Sequence, residues 1–306
     1  MLWLTWRQHR TQLFVTLGLL AAVGGVLLLS GQAALDAANG NLTSLCRGGG
    51  VPCVETDAGL EDLYQKIYPM IAMLPFVPLL AGIFWGAPLL AREYERNTHQ
   101  LAWTQSVSRG RWLGVKFCVL ALCAALAGLL SGRMFDAWLE LFPGKARTLA
   151  ETSYFGAAGI APVAWWLFAF TLGAAAGVLV RKTLPAIAIT VAVFVVASIA
   201  LLLLRPHYAE PVRSIGADPS AKGGLIVDTG RIAPDGREFR AFDDVPGCPQ
   251  GRGMTECAEA AGYRDFSVYQ PATRFWRFQW TEAGILLAAT AVLGGVAVGG
   301  TVRRRR

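Results

Sequence analysis

Six apolar runs alternate with polar segments along the chain, at approximately Leu13–Ser30, Pro69–Ala91, Leu113–Ser131, Pro162–Val180, Leu184–Leu204 and Ala283–Val302. Each approaches the roughly 20 helical residues needed to cross about 30 Å of hydrocarbon. They predict six transmembrane helices. The second run, "MLPFVPLLAGIFWGAPLLA", carries Pro75, Pro78 and Pro88, each of which removes a backbone donor and favours a kink; it still reads as a span. The first run follows basic residues and precedes "SGQAALDA", an outline it shares with secretory signals. It exceeds their usual apolar core of about 7 to 15 residues and is therefore read as a retained span.

The polar segments have their own patterns. In "MLWLTWRQHRTQ", Leu2, Trp6 and Leu13 fall near one helical face, with Arg7 and Arg10 beside them and Trp3 at the boundary, which suits an interfacial helix or an ordinary positive flank. Segment 31–68 mixes "NGN" and "RGGG" turns with the helix-like "GLEDLYQKIYP". In "RMFDAWLELFP", Phe135, Trp138, Leu139 and Phe142 recur at helical spacing, as an interfacial helix or as an extension of the third span. Segment 205–282 holds "LIVDTGRIAPDGREFRAF", an alternating pattern around a PDG turn that predicts a small hairpin. Its closing stretch brings Phe275, Trp276, Phe278 and Trp280 up to the last span. Three pairs of small residues at membrane-helix spacing, Gly128 with Gly132, Gly173 with Gly177 and Gly295 with Gly299, read as helix packing positions.

Composition agrees with a membrane protein: 54% of the 306 residues are hydrophobic, 16% are charged, and mean hydropathy is +0.43. Charge supplies the orientation. Arg7, Arg10, Arg92, Arg96, Arg109, Arg111, Lys116, Arg181, Lys182 and Arg303 to Arg306 fall on one side of the predicted membrane, which the positive-inside rule makes cytoplasmic. The fold expectation is therefore an all-α membrane protein with both termini cytoplasmic and a small extracytoplasmic cap between spans five and six. It divides into spans one to five over 1–204, the cap over 205–282, and the sixth span with a basic tail over 283–306. The formal net charge of +7 follows from this topology and from anionic lipid at the inner face, so nucleic acid is not an expected partner.

Cysteines fall into three local pairs. Cys46 with Cys53 and Cys248 with Cys257 lie in the exterior segments, where oxidation is permitted, and are the disulfide candidates; swapped pairing is the alternative. Cys118 and Cys123 lie in an apolar helix and read as packing residues.

Between the second and third runs lies "AREYERNTHQLAWTQSVSRGRWLGVK", longer and more polar than a turn requires. Asn97 or Thr98 can cap a short helix ending near Ser108, with Gln100 at capping-box spacing from Asn97. Leu101, Thr104 and Ser108 share one side of that helix, and His99, Trp103 and Val107 another. Arg92 and Arg96 flank one end, Arg109, Arg111 and Trp112 the other. Such a cytoplasmic helix is a surface for another protein.

A span ending in Glu-x-Glu, a short turn, an apolar-aromatic helix, and "SR" before a basic residue resembles the permeases of type-2 ABC transporters. The resemblance implies a coupling helix near 97–108 that docks on a separate ATP-binding subunit, which would hold the ATP and magnesium. By that likeness Glu93 and Glu95 are the acidic pair, Thr98 the turn threonine, and Ser108 and Arg109 the closing pair, with Leu101 and Trp103 on the docking helix. Asn97 stands where the pattern commonly has glycine. The likeness also implies pairing of two copies or of similar permeases, a bacterial plasma membrane, and outward transport of an amphiphilic or hydrophobic substrate.

Several chemistries are missing. No phosphate-binding P-loop occurs; "PGKA" at 143–146 lacks the upstream glycine and the hydroxyl for magnesium. His9 and His99 fall to the inner face and His207 to the outer, no H-E-x-x-H is present, and no catalytic or metal-ligating set is expected. The interiors of the six runs lack ionisable residues, with Lys116 and Glu282 at the margins, which disfavours an ion-driven transporter. A sensor or assembly subunit using the same cytoplasmic surface stays open.

Overall fold

The computed structural model describes residues 2–45, 65–95, 109–140, 148–216, 223–240 and 254–302. Helix α1 spans Leu2–Leu45. The second span, α2, covers Gln65–Glu95. Then come α3 (Arg109–Leu139), the short α4 (Thr152–Ala157), α5 (Ala161–Val180) and α6 (Thr183–Leu204). Strands β1 (Val212–Ile215), β2 (Leu225–Ile232) and β3 (Glu238–Arg240) precede α7 (Met254–Ala260), β4 (Arg264–Gln270) and α8 (Phe275–Val302). Among the described residues, six helices are long and apolar enough to cross a membrane, at the six places the apolar runs mark.

Helix α5 is the hub. It is buried along nearly its whole length, whereas the other spans leave large apolar side chains outside, such as Leu28, Leu122, Val196 and Val292. In lipid that exposure is solvation, not a fault. Close packing on α5 relies on glycine: a Cβ on Gly173 would collide with the Gly82 carbonyl of α2. Gly128 and Gly132 of α3 likewise face Pro162 and Gly159 at the start of α5. Gly295 and Gly299, by contrast, would meet nothing within 4 Å among the described residues.

Pro75 and Pro78 of α2 act as the pattern implied, whereas Pro88 lies in the regular α segment Ala87–Glu95. Leu74–Phe76 is a 3-10 turn with Pro75 in its first positions, and Val77–Ala81 returns to α geometry behind Pro78. Gly82–Gly86 widens into a π turn. Gln12 of α1 donates its Nε2–H to the Phe84 carbonyl there at 2.7 Å, so the irregular backbone is partly satisfied by a neighbouring helix.

One open reading is settled and two expectations are corrected. Phe135, Trp138 and Leu139 belong to α3 itself; Trp138 donates to Ser30 Oγ at 3.0 Å and Phe135 is buried against Tyr154, so tertiary contacts carry the helix past the apolar run. The "NGN" turn lies inside α1, since helical propensity penalties of single residues are small beside a continuous helix. And all-α describes only the spans: the segment after α6 holds a four-stranded antiparallel sheet of order β1-β4-β2-β3. The expected hairpin is β2–β3, turning at Gly236 with φ 86°. Strands β1 and β4 add to it, with a bulge between Ile226 and Asp228.

The sheet is bolted to the bundle where α6 ends and α8 begins. Gln270, fully buried, donates to the carbonyls of Pro206 and Ala209 at 2.9 and 2.5 Å, and accepts from Arg274 at 2.6 Å. Gly223 beside β2 accepts from Thr148 Oγ1 and the Leu149 amide at 3.1 and 2.9 Å.

Candidate functional site

The acidic pair at the end of α2 does not hang free in the loop that follows. Glu93 accepts a hydrogen bond from Lys116 Nζ at 2.6 Å; the Lys116 side chain is 3% exposed and that of Glu93 18%. Lys116 lies on α3, beyond the loop, so this ion pair fastens the two helices that the loop connects. Glu95 reaches the other way. Its two carboxylate oxygens accept from the Thr183 amide at 2.9 Å and the Thr183 hydroxyl at 2.8 Å.

Thr183 is the first residue of α6, where backbone N–H groups lack helical partners and the helix dipole favours negative charge. Glu95 therefore caps α6 from another helix. The joint before it is sharp: Arg181 ends α5 in the left-handed conformation at φ 58°, and Lys182 is extended. The Arg181 guanidinium lies 5.3 Å from the Tyr94 ring centroid, between the two carboxylates in sequence. Residues 93 to 95 thus grip α3, the α5–α6 joint and α6 in turn.

Asn97, Thr98, Leu101, Trp103 and Ser108 lie outside the described residues, and so does the expected helix they form. Arg109 opens α3. Of the disulfide candidates, Cys46, Cys53 and Cys248 are also outside; Cys257 is disulfide-bonded, while Cys118 and Cys123 are free thiols. The pairing itself is thus left between the local and the swapped alternatives.

Sequence reasoning missed the partners of the acids. Lys116 passed as a margin residue, and Thr183 carried no motif, because a tertiary cap links positions 88 residues apart. It missed also a polar network at the opposite end of the bundle. There Glu282 of α8 accepts from Trp165 Nε1 of α5 at 3.2 Å and from Arg205 Nη2 at 3.1 Å. The side chains of Arg205 and Glu282 are 5% and 1% exposed, and the guanidinium lies 4.0 Å from the Phe155 ring centroid. Glu282 is buried, then, where the apolar pattern set it at a margin. One turn away Gln279 accepts from the Ala161 amide at 2.8 Å and donates to the Phe155 carbonyl at 2.7 Å. The nearby Tyr208 phenol is pushed well above its ordinary value, by burial first and the Glu282 carboxylate second, against the lowering effect of Arg205.

Among the described residues no group of His, Cys, Asp and Glu could hold a metal ion. No curated protein and no solved structure matches the chain. A sequence model of proteins described as "ABC-2 membrane transporter related" matches residues 17–205. The chain belongs to that family. Membership supports a type-2 ABC permease and a multi-pass membrane protein, as the Glu-x-Glu resemblance implied. The matched span contains Glu93, Glu95, Lys116 and Thr183 and ends at Arg205; the sheet and α8 lie beyond it.

Proposed function

We propose that this chain is the membrane-spanning subunit of an ABC exporter, driven by a separate ATP-binding subunit that docks on the loop between spans two and three, at a coupling helix near 97–108. The carrying observation is the double anchoring of α2 by Glu93 and Glu95. A push delivered to the end of α2 passes to α3 through Lys116 and to α6 through Thr183. That is the connection a coupling loop requires.

The basic residues at this end make it the cytoplasmic face. The sheet becomes an extracytoplasmic cap, consistent with a disulfide at Cys257. ATP and magnesium belong to the partner; two copies, or this chain and a similar permease, complete the transporter in a bacterial plasma membrane. The substrate is an amphiphilic or hydrophobic molecule.

The test is co-expression of the tagged chain with ATP-binding subunits encoded beside it, followed by extraction in mild detergent. A stoichiometric ATPase should co-purify, and Glu93→Ala with Glu95→Ala should lower its stimulated hydrolysis about tenfold or more, since a mispositioned element remote from the chemistry costs on that order. Full stimulation in the double variant would sink the reading.

A further inference from the structure

Pro75 and Pro78 deprive α2 of two backbone donors close together. The two amides between them turn to carbonyls three residues back, Phe76 to Met73 at 3.0 Å and Val77 to Leu74. The α ladder is thus interrupted across positions 75–78, while Met73, Phe76 and Val77 keep right-handed helical angles. Mid-helix 3-10 stretches are recurrent hinge positions, because their hydrogen bonds are poorer than those of an α-helix.

Packing changes partners at the same place. Ile71 and Leu74 belong to an apolar cluster with Phe135 of α3 and Tyr154 of α4, and none of the α5 residues joins it. From Val77 onward the α2 side chains pack with α5 instead: Ala81, Trp85 and Leu89 share a cluster with Trp166, Phe170 and Ala174. Helices α1 and α3 contribute to both clusters as unbroken α-helices. Helix α2 breaks where they do not. A void of about 20 Å³, room for about one water molecule, lies at this boundary. Leu74 and Val77 line it from α2, Leu27 and Phe135 from one cluster, Leu20 and Trp166 from the other. Close-packed interiors leave few such gaps.

The other irregularity of α2, the π turn at Gly82–Gly86, is clamped. A Cβ on Gly82 or Gly86 would collide with the Ala169 or Phe170 carbonyl of α5, and Gln12 holds the Phe84 carbonyl. The ends of α2 are tied to different neighbours as well. Tyr68 donates to Glu151 beside α4, whereas Glu93 and Glu95 accept from Lys116 and Thr183.

We propose that Leu74–Phe76 is a hinge, about which α2 from Val77 to Glu95 turns as one body with α5. It turns against a sheet-end unit made of Gln65–Met73, α4 and the end of α3. This deepens the exporter reading and rests on it only for the source of the motion; the bend itself belongs to the chain alone.

The full chain is placed in phosphatidylcholine nanodiscs without an ATPase, carrying genetically encoded spin-label residues at Met73 and Arg92 and diluted with unlabelled chain. Both positions are exposed and would lie about 28 Å apart on a straight helix. Pulsed dipolar spectroscopy should give a distance distribution about twice as broad as that of Trp280 with Val298, an exposed pair on the unbroken α8. Phe76 with Arg92 starts at the last residue of the 3-10 turn and crosses the π turn; it should be as narrow as the α8 pair. Pro75→Ala combined with Pro78→Ala returns the missing donors and should narrow the Met73–Arg92 distribution to the α8 width. Val23→Ile, which adds carbon at the void and leaves the α2 backbone alone, should narrow it too. A Met73–Arg92 pair no broader than the α8 pair, breadth that resides in Phe76–Arg92, or breadth unmoved by both substitutions would overturn the hinge. Failure of any ATPase to co-purify would sink the exporter reading and leave these distances as they are.

Discussion

The two ends of the bundle handle charge in opposite ways. At the sheet end, Arg205 and Glu282 are buried together among Trp165 and Phe155, and the pair joins α8 to α5 and to the end of α6. At the loop end, Glu95 works at the surface on Thr183, and Glu93 keeps partial exposure with a buried Lys116. A buried ion pair costs several kcal/mol to half-remove, whereas an exposed cap costs about one. The sheet-end pair is the more deeply buried of the two; the loop-end contacts keep one acid partly exposed and the other at the surface.

The sharpest way to break this contrast is at Glu282. Glu282→Ala strands Arg205 in the interior and should destabilise the protein by about 3–5 kcal/mol, read from thermal unfolding in detergent. Arg205→Met combined with Glu282→Leu should recover most of that loss, because no lone charge remains. Next comes Gln279→Leu, which leaves the Ala161 amide and Phe155 carbonyl without their bridge and should cost about 1–3 kcal/mol by the same measurement.

Glu93→Gln sharpens the comparison from the other side: a neutral amide still accepts from Lys116 but leaves the buried ammonium without its counter-charge, so stability should fall by about 1–3 kcal/mol while ATPase stimulation falls far more. Smallest in stability is Glu95→Gln, at about 0.5–1 kcal/mol, which hydrogen exchange should report as opening confined to the first turn of α6. Equal unfolding losses at both ends would erase the distinction.

What the sequence disclosed follows the range of the interactions. The six spans were legible because twenty apolar residues in a row are a local signal, and the α2 irregularities because Pro75 and Pro78 act on their own backbone. The β2–β3 hairpin was legible for the same reason, through its PDG turn. Strands β1 and β4 were not. β1 is four residues long, and both are defined by pairing across the whole segment. The end of α3 carried a readable helical period but no local sign of whether it left the bundle, since the deciding contacts come from Ser30 and Tyr154. At the candidate site the acids were visible as a motif; their grips on Lys116 and Thr183 were tertiary facts and could not be.

Trp276 and Trp280, both exposed at the start of α8, suit one edge of the hydrocarbon layer. Indole rings settle at the membrane–water interface, and Glu282 follows Trp280 by two residues, about 3 Å of helical rise. The remaining stretch to Thr301 is about 28 Å, so in a bilayer whose edge lies at these indoles the voltage would fall almost entirely below the Arg205–Glu282 pair. That pair, neutral as a unit and seated at one edge of the field, contributes almost no gating charge. Any step that displaces it should proceed at the same rate in polarised and depolarised vesicles.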